Sequence, residues 1–376
     1  MNIEKEKGIE RKLSVIILNY NVRYFLELCL KSVIAATNGL NSEIIVVDNN
    51  SEDGSCDMVK KMFPQVRLFE NKENLGFSKG NNLGIAAARG EFLCILNPDT
   101  VLGEDTFKEI LSFFNTTNNI GVVGCKLING AGVFLPESKR NIPYPFVALK
   151  KLFGNSNRYY ANHLAASDNG QVDILVGAFM FMKKEVFDSV NGFDEDFFMY
   201  GEDIDLSFRI KKRGYNNYYF GKLTAIHFKG ESTLRDRLYL KRFFGAMKIF
   251  YKKHFKNNFV IDFFVFMGIK LAYLNEKKGK AAVKDDKDYV LISKSNLNRE
   301  RLEKIVCKPI KVDDISVKTS KNEELIFDGN YFSYKDIIQY MAKNNHKGLT
   351  FKILPSESAF IIGSDNGFER GEILEF

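Results

Sequence analysis

EIIVVDNNSEDGS, Glu43 to Ser55, is an apolar run that ends abruptly in turn formers. Four successive β-branched residues, Ile44 to Val47, suit a strand covered on both faces. Asp48 sits where that strand stops, and Ser51 or Asp53 can cap the helix that follows. LSVIIL (Leu13 to Leu18) repeats the pattern upstream, and Phe92 to Leu96 repeats it downstream. Val66 to Glu70 is a shorter strand of the same kind. Val22 to Ala36 has helical periodicity, and NLGFSKGNNLGIAAARG, Asn74 to Gly90, is a Gly/Asn-rich approach to another helix. Strands alternating with helices predict an α/β fold with a mostly parallel sheet flanked by helices. Ligands bind such sheets off the carboxyl ends of the strands. Asn19, Asp48 and Asp99 all fall at those ends.

From Val122 the rhythm changes. Residues 129 to 170 are irregular, carry Pro136, Pro143 and Pro145, and suit a loop over a substrate. DILVGAFMFM, Asp173 to Met182, predicts another buried strand. GEDIDLSFR, Gly201 to Arg209, follows an aromatic run and opens an amphipathic helix. A strand near Tyr215 to Phe220 and the triplet Ala225-Ile226-His227 come next. Between Arg235 and Lys256 eight Lys/Arg and one Asp alternate with Leu, Phe, Tyr and Met, which predicts a basic amphipathic helix. Such a helix is ordinarily a solvated face; the aromatic interleaving instead favours contact with anionic lipid. An aromatic run starts at Phe259, residues 276 to 286 read as a linker, and the remainder alternates as a small α/β unit. The divisions are a leader (1–12), a catalytic-type α/β domain (13–230), a basic aromatic helical segment (231–277) and a small C-terminal α/β domain (278–376).

The formal charge of +7 over 376 residues is modest, and no nucleic-acid-binding motif accompanies it. No stretch reaches the apolar length of a membrane span. The charged amino terminus has no signal-peptide core, and the five cysteines form no CxxC pair. These features predict a cytoplasmic protein that meets the inner membrane face peripherally.

Each chemical motif has a plainer reading beside it. Asp48 can contact a nucleoside or merely end a strand. The Asn74 to Gly84 segment can admit a nucleotide close to the backbone, but it is neither GxGxxG nor a P-loop. Asp99 of LNPDT can hold a hard divalent cation or belong to a proline turn. His227 becomes a metal ligand only if Asp99 lies beside it. In the acidic motif, Asp205 and Arg209 form an i,i+4 ion pair. That pairing does not explain Glu202 and Asp203, carboxylates placed directly behind apolar residues, where a general base gains proton affinity.

The ordered set NYN, VVDNNSEDGS, NLGFSKGNNLG, LNPDT, VDILVGAFMFM, GFDEDFFMYGEDIDLSFR and a following histidine closely resembles the family 2 glycosyltransferases. The nearest branch is rhamnosyltransferase-like and builds bacterial surface polysaccharide. The resemblance covers about residues 13 to 232 and implies a GT-A fold and inverting transfer from a nucleotide sugar, dTDP-rhamnose or a UDP-sugar, to a glycan or lipid-linked glycan. It implies that Asp48 contacts the nucleoside and that Asn19, Tyr20, Asn74, Asn81 and Asn97 line the donor site. Asp99 and His227 would hold Mg2+ or Mn2+, and Asp203 would be the base with Glu202 beside it. Asn97 stands where the general motif has its first carboxylate, so a cation there would depend on the donor for further ligands. A non-catalytic glycan- or nucleotide-binding protein on this fold would not need Asp99, Glu202, Asp203 and His227 together. A sugar-phosphate nucleotidyltransferase would need a basic Gly-rich loop after Leu18, which is missing.

Overall fold

The two-sided burial predicted for the first strands is what organises the structure. The computed structural model describes residues 11–152, 154–230, 237–255, 287–316, 319, 322–345, 348–365 and 371–376. The order is β1 (Arg11–Asn19), α1 (Arg23–Thr37), β2 (Ser42–Asp48), α2 (Ser55–Met62), β3 (Arg67–Glu70), α3 (Gly76–Ala86), β4 (Gly90–Leu96), β5 (Thr100–Val101), α4 (Thr106–Thr116) and β6 (Ile120–Ile128). A 3-10 turn at Pro136–Ser138 leads to α5 (Pro145–Leu152), β7 (Asn169–Val172), β8 (Phe179–Lys183), α6 (Lys184–Ser189), α7 (Glu202–Lys212) and β9 (Asn216–His227). Beyond them lie α8 (Arg237–His254), β10 (Asp288–Ile292), α9 (Arg299–Val306), β11 (Ile310–Asp313), β12 (Glu323–Asp328), α10 (Tyr334–Asn344), β13 (Thr350–Leu354), β14 (Phe360–Gly363) and β15 (Glu372–Glu375).

The larger sheet runs β3-β2-β1-β4-β8-β6-β9-β5, with β7 also on β9. β1, β2, β3 and β4 are parallel, and β8 runs against β4 and β6. Alternate residues bury on opposite faces: Val15, Ile17 and Val46 join the core under α1, while Ile16, Ile45 and Val47 join the core under α3 and α7. The register pairs Asn19 with Asp48 and Ile17 with Leu96, so the chain leaves β1, β2 and β4 on one rim. β5 and β9 pair antiparallel, with Thr100 opposite His227, which carries the residues after Leu96 to the end of β9. The larger sheet is therefore mixed, with a parallel half flanked by helices, as the alternation of strands and helices predicts.

The smaller sheet runs β11-β10-β12-β13-β14-β15, parallel through β13 and antiparallel after it. Its inner face shares one core with the larger unit. Val22, Phe25, Val101, Ile226 and Phe228 pack with Val290, Phe327, Ile337 and Met341.

Two expectations need correction. Asp173 to Met182 is not one strand: only Phe179–Lys183 is extended in the sheet, and the backbone before it leaves the ladder to meet side chains of Arg140 and Asp203. The aromatic stripe of α8 does not face outward. Phe244, Met247, Phe250 and Tyr251 are buried, and the last three pack on Ile142, Ile174, Phe197 and Ile204. Burying those rings against the domain removes more apolar surface from water than a solvated face would. Among the described residues no helix is long and apolar enough to cross a membrane. Residues 1–10, the aromatic run from Phe259 and the linker at 276 to 286 lie outside the described residues.

Candidate active site

The rim of β1 and β2 is held by a buried polar network. The Asn19 amide donates to Asp48 Oδ1 at 2.7 Å and to Ser51 Oγ at 3.1 Å, and the Ser51 N–H donates to Asp48 Oδ2 at 2.7 Å. Neither Asn19 nor Asp48 lines the central cavity; both stand behind its wall. Asn81 is also buried, and its amide donates to the Phe77 carbonyl within α3 at 3.0 Å. Its place is therefore inside the helix and not on the cavity. Asn74 and Tyr20 do line the cavity, and so does Asn49, whose amide donates to Asn74 Oδ1 at 3.2 Å and to the Gly76 carbonyl at 3.1 Å. Gly76 has φ +79°, and a Cβ there would lie 2.4 Å from the Phe198 carbonyl oxygen. Only glycine permits that approach. It lets the Phe77 N–H donate to Phe198 at 2.6 Å, tying the Gly-rich segment to the acidic motif.

The second group gathers after β4. His227 Nε2 lies 3.4 Å from Asp99 Oδ1 and 3.3 Å from Asn97 Nδ2. Asp99 Oδ2 accepts the Lys229 N–H at 3.1 Å, and the Phe228 N–H donates to the Asp99 carbonyl at 3.0 Å. Asp99 and His227 are both buried, and His227 Nδ1 has no hydrogen-bond partner among the described residues. Lys229 pairs with Glu137. Burial pulls the Glu137 carboxyl up, but the Lys229 ammonium outweighs it and holds the group below its usual range. Among the described residues no three His, Cys, Asp or Glu side chains cluster as a complete cation cage. An oxygen, an imidazole and an amide do suit a hard divalent ion that keeps water and phosphate oxygens as its other ligands, with His227 Nε2 as the ring nitrogen that faces Asp99.

The third group opens α7. Tyr200 and Gly201 both have positive φ, +69° and +78°, before the helix starts at Glu202. For a bulky residue such as Tyr200 that conformation is strained, and such strain concentrates at functional sites. Asp203 Oδ2 accepts from Arg140 Nη2 at 2.6 Å and from the Gly177 N–H at 3.0 Å. The same Arg140 nitrogen donates to the Leu175 carbonyl at 2.7 Å. Glu202 is 6% exposed, and its Oε2 has no hydrogen-bond partner among the described residues. Burial, with the Asp203 charge next to it, raises its proton affinity to about 8. Asp205 is fully buried and accepts from Arg209 Nε at 2.6 Å, the ion pair expected from the spacing. Its other oxygen meets His254 of α8 at 2.6 Å.

These groups meet in one cavity of about 710 Å³. Tyr20, Asn74, Asn97, Asp99 and His227 line one part, and Glu202 and Asp203 line another. Sequence reasoning missed Asn49, Glu137, Arg140, Tyr159 and Lys229, which also line it. Asn49 stands beside Asp48 at a strand end and had a readable signal. Arg140 and Tyr159 sit in a stretch without periodicity, where nothing local marks them.

The family model for glycosyl transferase family 2 matches residues 14–190, and the model for the N-terminal domain of galactosyltransferase matches residues 169–231. N-acetylglucosaminyl-diphospho-decaprenol L-rhamnosyltransferase of Mycobacterium tuberculosis is 27% identical over 242 residues, 60% of this chain and 78% of its own. A minor teichoic acid biosynthesis protein of Bacillus subtilis is 32% identical over 132 residues, 34% of this chain and 15% of its own. A mannosyltransferase from Pyrobaculum calidifontis, solved in complex with GDP-Man and Mn2+, has a TM-score of 0.48 and 16% identity, covering 72% of this chain and 77% of that one. The chain is thus a glycosyltransferase that matches glycosyl transferase family 2 over residues 14–190 and is similar to rhamnosyltransferases.

Proposed function

We propose that this enzyme moves a sugar, with inversion, from a nucleotide sugar to a hydroxyl of a growing lipid-linked glycan of the cell envelope. dTDP-rhamnose and UDP-sugars are the donors that the similarity to rhamnosyltransferases favours. The carrying observation is that one cavity joins the Asn97, Asp99 and His227 group to the Glu202 and Asp203 pair. Inversion in a single displacement needs one base and no protein nucleophile, and it needs both reactants held in line.

Tyr20, Asn49 and Asn74 line the part of the cavity that takes the nucleoside, with Asn19 and Asp48 holding its wall from behind. Asp99 and His227, helped by Asn97, would hold Mg2+ or Mn2+. Such an ion supplies charge stabilisation to the departing diphosphate when bound. Lys229, through its N–H on Asp99, fixes the orientation of that carboxylate. The adjacent carboxylates Glu202 and Asp203 share one wall of the cavity. Arg140 and the Gly177 N–H fix Asp203, and the unpartnered Glu202 oxygen is the open position for a proton from the acceptor hydroxyl. The exposed Lys241, Lys248, Lys252 and Lys253 of α8 support a loose meeting with an anionic membrane surface, since the helix's rings are already used inside.

A panel of nucleotide sugars, read by thermal shift with and without Mn2+ and then by transfer to octyl glycosides, tests this reading. One donor should raise the melting temperature in a Mn2+-dependent way and be consumed with inversion. Transfer with retention of configuration would refute the single-displacement assignment.

A further inference from the structure

The cavity wall beside Glu202 is aromatic, and the donor half of the reaction leaves that wall unused. Tyr200 immediately precedes Gly201 and Glu202. Its ring meets Tyr239 edge to face at 5.0 Å, and Phe243 lies 6.3 Å away. Tyr239 and Phe243 stand one turn apart on α8, with ring planes within 10° of each other at 6.1 Å. All three line the same cavity as Glu202 and Asp203. Their placement is built in: a Cβ on Gly201 would lie 3.3 Å from Ala246 and 3.4 Å from Met247, so α8 rests directly on the start of α7. Tyr200 keeps a strained left-handed backbone to hold its ring there.

Resting on the glycosyltransferase reading, we propose that Tyr200, Tyr239 and Phe243 form the acceptor subsite and stack on the apolar C–H face of a pyranose. The occupant of this wall must present a hydroxyl to the Glu202–Asp203 pair. A hydrocarbon tail has none to offer. A pyranose has one apolar face and a polar rim, so it can cover aromatic rings while turning a hydroxyl toward the carboxylates. Aromatic side chains with a polar handle suit such half-wet contacts. The segment from Arg237 to Phe243 therefore does more than close the core: it sets which sugar ring is accepted.

The test is saturation-transfer NMR on the full chain with octyl glycosides of glucose, N-acetylglucosamine, galactose and rhamnose, beside titration with UDP and dTDP in Mn2+. Saturation should fall on pyranose ring protons of at least one glycoside. Tyr239→Ala and Tyr239→Leu should weaken that glycoside about two- to tenfold, because that is roughly what one lost aromatic contact is worth. Tyr239→Phe should retain the affinity, since stacking does not use the hydroxyl. Saturation confined to the octyl tail would make the wall a lipid groove and overturn the inference. Unchanged affinity in Tyr239→Leu would also overturn it, and so would no glycoside bound while a nucleotide titrates normally. Failure of either nucleotide to bind would overturn the functional reading, and the inference with it.

Discussion

Replacing Arg140 with methionine separates the work of holding the acidic pair from the work of packing. The Arg140 and Asp203 side chains are 9% and 11% exposed, and their Nη2···Oδ2 distance is 2.6 Å. Methionine keeps most of the buried volume and removes the charge. The Leu175 carbonyl then loses its Arg140 donor, and the Asp203 carboxylate loses its countercharge while keeping the N–H groups of Gly177 and Ile204. Breaking one partner out of a buried pair costs roughly 3–5 kcal/mol, because the remaining charge is left buried alone. The Asp203→Asn, Arg140→Met double variant has no such stranded charge and should recover most of that loss. The guanidinium also acts on Glu202, whose proton affinity it lowers against the larger upward pull of burial and Asp203. Its removal should therefore shift the acid limb of the pH–rate profile upward. Urea denaturation of the two single variants and the double gives the coupling energy. Transfer rates from pH 5 to 9 give the limb. An Arg140→Met protein within about 1 kcal/mol of the parent, with an unmoved acid limb, would refute the assignment of Arg140 to this pair.

Glu202→Gln should change how stability varies with pH. The folded-state affinity of Glu202 is raised from 4.5 to about 8, chiefly by burial. Its contribution to stability is thus complete below pH 4.5 and is lost as pH rises toward 8, by on the order of 1 kcal/mol per unit. Denaturation midpoints of the glutamine variant should be flatter across that window than those of the parent. Both Glu202→Gln and Asp203→Asn should lower kcat by about 10²- to 10⁴-fold with little change in nucleotide affinity; equal loss of nucleotide binding would remove the pair from proton transfer. Asp99→Ala should abolish the Mn2+ dependence of nucleotide binding measured by calorimetry, and unchanged titrations with and without Mn2+ would count against that carboxylate as a ligand. Met341→Ala should cost about 2–5 kcal/mol in urea and weaken Mn2+-dependent nucleotide binding as well. A stability loss alone would show that the smaller sheet does not reach the site.

The parallel half of the large sheet was readable because its strands are buried on both faces. A run such as Ile44 to Val47 has few other homes, and a polar residue that ends such a run marks a rim. Asn19, Asp48 and Asp99 were found that way, and the structure brings Asp99 beside His227. Arg140 escaped because its environment is made by residues distant in the chain, Leu175 and Asp203, and its own neighbours carry no period. The same contacts explain the misread strand at Asp173 to Ala178. Its apolar composition suited a sheet, but side chains take the Asp173 and Leu175 carbonyls and the Leu175 and Gly177 N–H groups, while Ile174 pairs with the Arg140 backbone. Asn81 was misplaced for the opposite reason: an asparagine in a Gly-rich helix can bond to its own helix, here to Phe77. For α8 the pattern of apolar residues was right and the partner was wrong. Periodicity reports that a helix has an apolar face, and only the tertiary structure says whether protein or lipid covers it.

The two segments added to the family domain touch different halves of the cavity. The smaller sheet packs on Val101, Ile226 and Phe228, which flank Asp99 and His227 on the paired strands β5 and β9. Glu104, just beyond β5, accepts the N–H groups of Tyr334 and Lys335 at 2.7 and 2.9 Å and so caps α10. α8 instead packs on Ile204 and the Gly201 turn, and its His254 meets Asp205. β5 is only two residues long and has β9 as its sheet neighbour, so its position depends on what lies beneath it. A short edge pair with few ladder bonds of its own stays in register only when its far face is buried. That burial comes from the smaller sheet. The described core of the smaller sheet thus supports the strands that carry Asp99 and His227, and α8 packs beside Glu202.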